Sequence, residues 1–336
     1  MRGGSGRRRR GAAVAAALLV AGIAAAASGA AAPGASGGAW LPVAAPDSVA
    51  ALVPRDPFTS AALRRFVASR GGNIAAGVYD VASNTTFLYH PRLREQTASI
   101  IKVNILALLL HQAQEDGEPL SAGNLAVATG MIEVSDNDDA TTLWDEEGGA
   151  PAVAAFDAKL DMTQTTPNGA WGLTTTDPRD QLRLLEHIAL PNRVLHYDYR
   201  ETELTLMEHV VPDDYWGITA GPGRGVTVAV KNGWLPVANG WQINSIGMVR
   251  GHRRFYLIAV MTNGNPSEGY GIDTIEGISR IVYADLRRRA APSSGTTGVS
   301  GVSGASGGTG ASGASGGSGA SGGSGASGAS GASGAT

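Results

Sequence analysis

Ser99 and Lys102 are the residues whose types and spacing most clearly suggest chemistry. They begin a stretch that is apolar as far as Leu110, apart from Lys102 and Asn104, and a helix that is apolar on every side is buried. Because three residues make nearly one helical turn, the two side chains would share a face, about 5 Å apart along the axis. Burial favours the neutral amine of a lysine, which can take a hydroxyl proton and create a nucleophile.

A purely structural role explains the same pair, with Ser99 as a helix cap and Lys102 extending to the surface. Lysine usage favours the chemical interpretation. Lys102, Lys159 and Lys231 are the only lysines, and every other basic side chain is arginine. Because arginine keeps its proton in proteins, the lysine at position 102 indicates a need for a titratable amine.

Two short polar motifs follow along the chain. Ser135-Asp136-Asn137 lies between helical patterns, where these residues favour a turn, although a helix cap explains them equally well. Lys231-Asn232-Gly233 follows a predicted strand at 226–230, and its Asn-Gly pair is also typical of a hairpin turn. Each motif alone is weak evidence for a site.

The elements that must position these motifs fall into two groups. A hairpin is predicted around 83–84, and helical patterns fill about 124–211. Three strands and a last helix follow, at 226–230, 241–249, 255–262 and 272–286, and the helix spaces Ile275, Ile278, Val282 and Leu286 for one apolar face. We therefore expect an α/β fold, in which an antiparallel five-stranded sheet is flanked by terminal helices and carries a helical lobe.

The two ends of the chain differ in composition from its middle. Arginines at 7–10, an apolar run at 12–27 and small residues at Ser28 and Ala30 are typical of a secretory signal peptide. The chain has no cysteine for lipid attachment, and its end repeats Gly, Ala and Ser without charge, as a flexible tail does. The prediction is a signal peptide, a linker, a catalytic domain and a tail, at 1–30, 31–53, 54–290 and 291–336. A secreted or cell-wall-associated location follows.

Composition excludes several classes of protein. A net charge of −3 gives no basic surface for nucleic acid, and the absence of cysteine excludes disulfides and thiolate metal sites. The histidines show no metal-ligand spacing, so we expect no metal and no cofactor. We also expect Glu146 and Glu147 to face solvent, and the mature protein to be a monomer without a stable membrane span.

Together, Ser-x-x-Lys, Ser-Asp-Asn and Lys-x-Gly, in this order, resemble the motifs of the penicillin-recognising serine hydrolases, which are the class A β-lactamases and penicillin-binding D,D-peptidases. The resemblance covers about 55–286 and indicates a divergent exported member, of actinobacterial type. It implies the β-lactamase/transpeptidase-like fold. It also implies that Ser99 is acylated, that Lys102 activates it, and that Ser135 relays a proton to the leaving nitrogen.

The resemblance also implies the residues that bind the substrate. Asn137 would hold a side-chain amide of the substrate, and Lys231 would attract its carboxylate. The backbone N–H groups of Ser99 and Trp234, the latter directly after Gly233, would form an oxyanion hole. Asn232 departs from the family, which usually has a hydroxyl residue there, but an asparagine can still donate a hydrogen bond to a carboxylate.

Two further departures concern the helical lobe and the loop that follows it. The first two motifs are closer together than in typical class A enzymes, so we expect an abridged lobe. The stretch 161–177, which corresponds to the omega loop, has no glutamate to activate the deacylating water, and Asp161 and Asp177 are better explained as helix ends. Fast β-lactam hydrolysis is therefore not expected.

Three functions stay open at this point. The favoured one is an exported serine hydrolase of β-lactamase type, acylated at Ser99 by β-lactams or related amides. The second is a cell-wall D,D-peptidase or transpeptidase-like penicillin-binding protein with slow deacylation, whose partner is a peptidoglycan peptide. The third is a non-catalytic wall-binding module, against which the intact Ser99, Lys102 and Ser135 argue.

Overall fold

Residues 55–288 are described by a computed structural model. The predicted signal peptide, the linker at 31–53 and the tail at 291–336 lie outside these residues. The strands are β1 Asn73–Asp80, β2 Thr85–Tyr89, β3 Glu95–Gln96, β4 Thr175–Thr176, β5 Thr227–Val237, β6 Gly240–Gly251 and β7 Arg254–Asn265. The helices are α1 Ala61–Ala68, α2 Ile101–Asp116, α3 Ala122–Glu133, α4 Asn137–Glu146, α5 Gly149–Lys159, α6 Pro178–Ala189, α7 Tyr197–Glu208 and α8 Glu268–Arg288.

A five-stranded antiparallel sheet forms the centre of the fold, in the order β2-β1-β7-β6-β5. It brings the first two strands beside the last three, as the sequence predicts. One face of the sheet packs against α1 and α8, and the predicted stripe of α8 is buried there. The other face packs against the helical lobe. The predicted α/β fold is therefore confirmed.

Helix α2 lies at the centre of the helical lobe and is buried as predicted. Every residue from Ile101 to His111 is buried, because the helices α3, α4, α5 and α7 pack around it. The helix ends at Gly117, whose φ of 73° suits a residue without a side chain. Such enclosure explains why the apolar pattern has no polar face.

Two details differ from the sequence prediction. Strand β5 does not end at residue 230 but continues to Val237, so Lys231-Asn232-Gly233 lies within the strand and not in a turn. The short pair β3–β4 was not predicted, because two residues are too few to show an alternating pattern. It joins the segment before Ser99 to the end of the 161–177 loop.

Glu147 is buried, so the prediction that Glu146 and Glu147 both face solvent is wrong for one of them. Glu147 follows α4 and lies near Glu203 of α7, which is fully buried, and neither carboxyl group has a hydrogen-bond partner among the described residues. Burial, reinforced by the charges of Glu146 and Glu203, raises the pKa of Glu147 to about 9. Glu147 is therefore protonated at neutral pH, and burial also raises the pKa of Glu203 well above its usual value.

This buried pair predicts a pH-dependent stability. A carboxyl whose pKa is raised in the folded state binds its proton more tightly there, so stability is lost as pH rises from about 4.5 toward 9. We expect Glu147→Gln to raise the free energy of unfolding more at pH 8 than at pH 5, by on the order of 4 kcal/mol, because glutamine takes up no proton on folding and each pH unit between the two pKa values is worth about 1.4 kcal/mol. Urea unfolding at pH 5 and pH 8 measures this, with Glu146→Gln as the exposed control. An equal gain at both pH values would contradict the prediction.

Within residues 55–288, no helix combines the length and the apolar composition that a membrane crossing needs.

Candidate active site

Ser99 lies in a 3-10 turn, Ala98–Ile100, that leads directly into α2. The capping position of α2 is Ile100, without a side-chain hydrogen bond, so the alternative that Ser99 caps this helix does not hold. Ala98 has a φ of 46°, a conformation that costs a non-glycine residue energy and is held only where the surroundings enforce it.

The turn that carries Ser99 is fixed from two sides. Asn244 of β6 donates from Nδ2 to the backbone carbonyls of Gln96 and Thr97, at 2.8 and 2.9 Å. On the other side Gly233 of β5 approaches so closely that a Cβ there would lie 2.7 Å from the Ser99 nitrogen. The glycine of the Lys-x-Gly motif is thus required by the close contact between the strand and the turn.

Lys102 is completely buried, which excludes the alternative that it extends to the surface. Its Nζ lies 2.6 Å from the carbonyl oxygen of Ser135, 3.2 Å from the Ser135 hydroxyl and 2.8 Å from Oδ1 of Asn137. The ring of Trp171 covers the amine, with 5.1 Å between Nζ and the ring centroid. No hydrogen bond among the described residues joins Lys102 to Ser99, although catalytic hydrogen bonds are often long in unliganded sites.

Ser135 lies between α3 and α4 and connects the two amines of the site. Its φ of 58° is unusual for a serine and turns the chain sharply before Asp136, which caps α4. Its hydroxyl accepts a hydrogen bond from the Nζ of Lys231, at 2.9 Å. The cap interpretation and the site interpretation of this motif are therefore both compatible with the structure, because Asp136 caps while Ser135 faces the lysines.

The two lysines have lowered pKa values. Burial, followed by repulsion from Lys231, lowers the pKa of Lys102 to about 7, against the attraction of Asp136, Asp214 and Asp139. Burial lowers the pKa of Lys231 to about 8, and Asp214 opposes this shift. Near neutral pH, a substantial fraction of Lys102 is therefore a neutral amine that can accept a proton.

Asn232 faces away from the lysines, toward the turn that precedes β5. Its Nδ2 donates to the carbonyls of Asp214 and Trp216, at 2.7 and 3.1 Å, and the residue is 1% exposed. Both N–H groups of this amide are therefore used within the protein. The ring of Trp216 in turn packs beside that of Trp234, with 5.9 Å between centroids.

A cleft of about 310 Å³ opens at Ser99, a size suited to a small molecule or a short peptide segment. It is lined by Ala98, Ser99, Asn137, Ala170, Trp171, Gly172, Leu173, Trp234 and Leu235. Within residues 55–288, this lining includes no carboxylate. The 161–177 loop, which corresponds to the omega loop of the family, contributes aromatic and small residues to this lining and no glutamate.

Sequence reasoning predicted one site that contains Ser99, Lys102, Ser135, Asn137, Lys231, Asn232, Gly233 and Trp234. In the structure, Ser99, Asn137 and Trp234 line the cleft, and hydrogen bonds join Lys102 to Asn137 and both lysines to Ser135. Gly233 contacts the turn of Ser99, whereas Asn232 is directed toward the segment that precedes β5. Sequence reasoning missed Asp214, whose charge acts on both lysines, and Trp171, which covers Lys102. Asp214 follows a loop with no motif of its own, so no pattern pointed to it. Trp171 was included in the loop but was not recognised as part of the site.

The sequence matches a known protein family. A model of the Beta-lactamase enzyme family matches residues 118–286, half of the chain; the match begins after Ser99 and Lys102 and includes Ser135 and Lys231. The mycobacterial protein "Putative lipoprotein LppW", from Mycobacterium tuberculosis, is 24% identical over 202 residues, or 57% of this chain. The chain spans 63% of the length of that relative, less than two thirds.

Solved structures share the fold at low sequence identity. A point mutant of PBP-A, an acyl-enzyme complex with penicillin G, aligns with a TM-score of 0.59 and 23% identity, covering 67% of this chain and 94% of that one. A class A beta-lactamase representative from Bacteroides cellulosilyticus aligns with a TM-score of 0.62 and 16% identity, covering 70% and 99%. By its family match and its fold, the chain belongs to the beta-lactamase enzyme family.

Proposed function

We propose that this protein is an exported serine hydrolase that works through an acyl-enzyme at Ser99. The observation that carries the proposal is the pair of buried lysines on the Ser135 hydroxyl beside the Ser99 cleft. Two amines with lowered pKa values cost folding energy, and such groups cluster at functional sites. The family match and the fold support the same chemistry.

Acylation begins when the Ser99 oxygen attacks the carbonyl carbon of the substrate amide. The hydroxyl proton passes to the neutral amine of Lys102. The backbone N–H groups of Ser99 and Trp234 stabilise the negative charge on the carbonyl oxygen, a contribution that preorganised donors make in many acyl transfers. Asn137, whose Oδ1 is bound to Lys102, binds substrate through its amide nitrogen.

The carbon–nitrogen bond then breaks and leaves an ester on Ser99. The departing nitrogen takes a proton from the Ser135 hydroxyl, which is replenished from Lys102 through their 3.2 Å contact. Lys231, at 2.9 Å from the same hydroxyl, stabilises the transient negative charge on its oxygen. Water finally hydrolyses the ester, which releases the acid and restores the serine.

The second candidate function is that of a peptidase-like enzyme. The lining of the cleft favours it over an efficient β-lactamase. Trp171 and its neighbours occupy the wall where a base would have to activate water, and within residues 55–288 that wall offers no carboxylate. Such a site forms an acyl-enzyme readily but hydrolyses it slowly. Export and a cell-wall location are proposed on the sequence of residues 1–30.

Ser99→Ala tests the proposed function. We expect complete loss of any covalent adduct with penicillin, because the attacking oxygen is gone, while the fold is retained, because Ser99 is not the cap of α2. Intact-mass spectrometry with penicillin measures the adduct. Ser60→Ala is a suitable control, since Ser60 does cap a helix and should cost about 1 kcal/mol of stability without affecting the adduct. An adduct that persists on Ser99→Ala would place the nucleophile elsewhere.

A further inference from the structure

Lys231 and Asn232, to which the resemblance assigns the substrate carboxylate, are both buried and do not line the cleft. A carboxylate is bound by N–H or O–H donors and by positive charge. Asn232 has two amide hydrogens, and the carbonyls of Asp214 and Trp216 accept both. Its remaining polar atom, Oδ1, is an acceptor; it lies beside Gly217, is buried and has no hydrogen-bond partner among the described residues.

The turn that Asn232 holds is itself fixed in place. Ile218 donates its backbone N–H to the hydroxyl of Ser245 on β6, at 3.0 Å. Ser279 of α8 donates to the carbonyl of Ala220, at 2.7 Å. Because the turn is attached to the sheet and to α8, Asn232 cannot release Trp216 for a ligand without breaking a connected set of contacts.

Charge around the two lysines points the same way. Asp214 lies in the segment 212–220 that precedes β5 and acts electrostatically on both Lys102 and Lys231. Asp136 and Asp139 act on Lys102 as well. Lys231 has no exposed surface, and its Nζ is bonded to Ser135. The positive charge available to an arriving anion is therefore offset within the protein.

We propose that the acyl donor of this enzyme has an uncharged group at the β5 side of the cleft, beside Trp234, as an internal peptide bond or an amidated peptide end does, and not a free carboxylate. The inference rests on the proposed function and specifies its substrate class. The reaction is unchanged: Ser99 forms the ester, the amide bond breaks, and the leaving nitrogen carries away the proton. What changes is the peptide, which continues beyond the scissile bond or ends in an amide.

Penicillin as the free acid and as its methyl ester tests the charge preference, because the two probes differ only in the carboxylate. We expect the wild-type protein to form the Ser99 adduct faster with the ester, by about tenfold, the effect of one incompletely screened charge. Asp214→Asn changes both rates through Lys102, but it should raise the acid-to-ester ratio of the rates, because only the acid carries a charge that Asp214 repels. Asp213→Asn, in the same turn but exposed, is the matched control. The acid-to-ester ratio is independent of the fraction of protein that is folded.

The outcomes separate the inference from the proposed function. The inference would be overturned if the acid labels Ser99 faster than the ester does and the acid-to-ester ratio of the rates responds equally to Asp214→Asn and Asp213→Asn. The serine hydrolase proposal would still stand. A Ser99 adduct with neither probe would overturn both. The expected result is faster labelling by the ester, with an acid-to-ester ratio of the rates that shifts in Asp214→Asn and not in Asp213→Asn.

Discussion

Lys102→Arg is expected to abolish acylation of Ser99 almost as completely as Lys102→Ala. Lys102 must accept a proton, and burial lowers its pKa to about 7 so that it can. Arginine remains charged at any pH that the protein survives. Loss of a general base typically costs 10² to about 10⁴ in rate. The rate of adduct formation with penicillin methyl ester, followed by intact mass, measures the effect.

The chain supplies a matched control for this substitution. Lys159 is the third lysine; it is exposed, and its Nζ lies 2.8 Å from Nε2 of His111, outside the cleft. Lys159→Arg makes the same chemical change there and should acylate normally. Acylation should also rise as pH increases through about 7, where Lys102 loses its proton. Normal acylation by Lys102→Arg would show that another group removes the serine proton.

A long-lived acyl-enzyme is the second large effect that we expect. Once Ser99 carries the ester, water must be activated within a wall made of Ala170, Trp171, Gly172 and Leu173. Lys102 can serve as a base but lies under the ring of Trp171. We therefore expect the unlabelled mass to return at least about 10²-fold more slowly than the label forms, since a well-placed base contributes that much.

The decay of the adduct after removal of excess penicillin ester measures this lifetime. If Lys102 activates the water, the slow release should accelerate as pH rises through about 7 and then level off. Prompt release together with steady hydrolysis of a chromogenic cephalosporin would contradict the expectation, and would make Asp161, Asp177 or Lys102 an efficient base. Asp177 accepts a hydrogen bond from the backbone of Asp180 at the start of α6, which fits a cap.

The sequence predicts those parts of the fold that have a long regular pattern. The apolar run after Lys102 could only be a buried helix, and the spacing of Ile275, Ile278, Val282 and Leu286 gave the buried face of α8 correctly. Short features carry no such pattern. The pair β3–β4 and the burial of Glu147 depend on which elements pack beside them, and a single sequence does not encode that locally.

The residues of the candidate site also differ in how well the sequence predicts them. Residue type and order predict Ser99, Lys102, Ser135 and Lys231 as site residues, because hydroxyls and lysines at these spacings are chemically distinctive. The orientation of Asn232 could not be predicted, since it depends on the carbonyls of a turn some 16 residues away in sequence. Electrostatic neighbours such as Asp214 are equally hidden, because carboxylates are common in surface turns.

The sheet order has a consequence for how the protein folds. Strand β1 pairs with β7, and Asn244 holds the carbonyl of Thr97 across 147 residues of sequence. Contacts between such distant segments form late, because a long loop must close before they yield any stability. The turn that presents Ser99 is therefore completed only when the last strands have joined the sheet. While the chain is still emerging from the ribosome, the turn that carries the proposed nucleophile has not formed. Acylation would therefore indicate that the whole domain has folded.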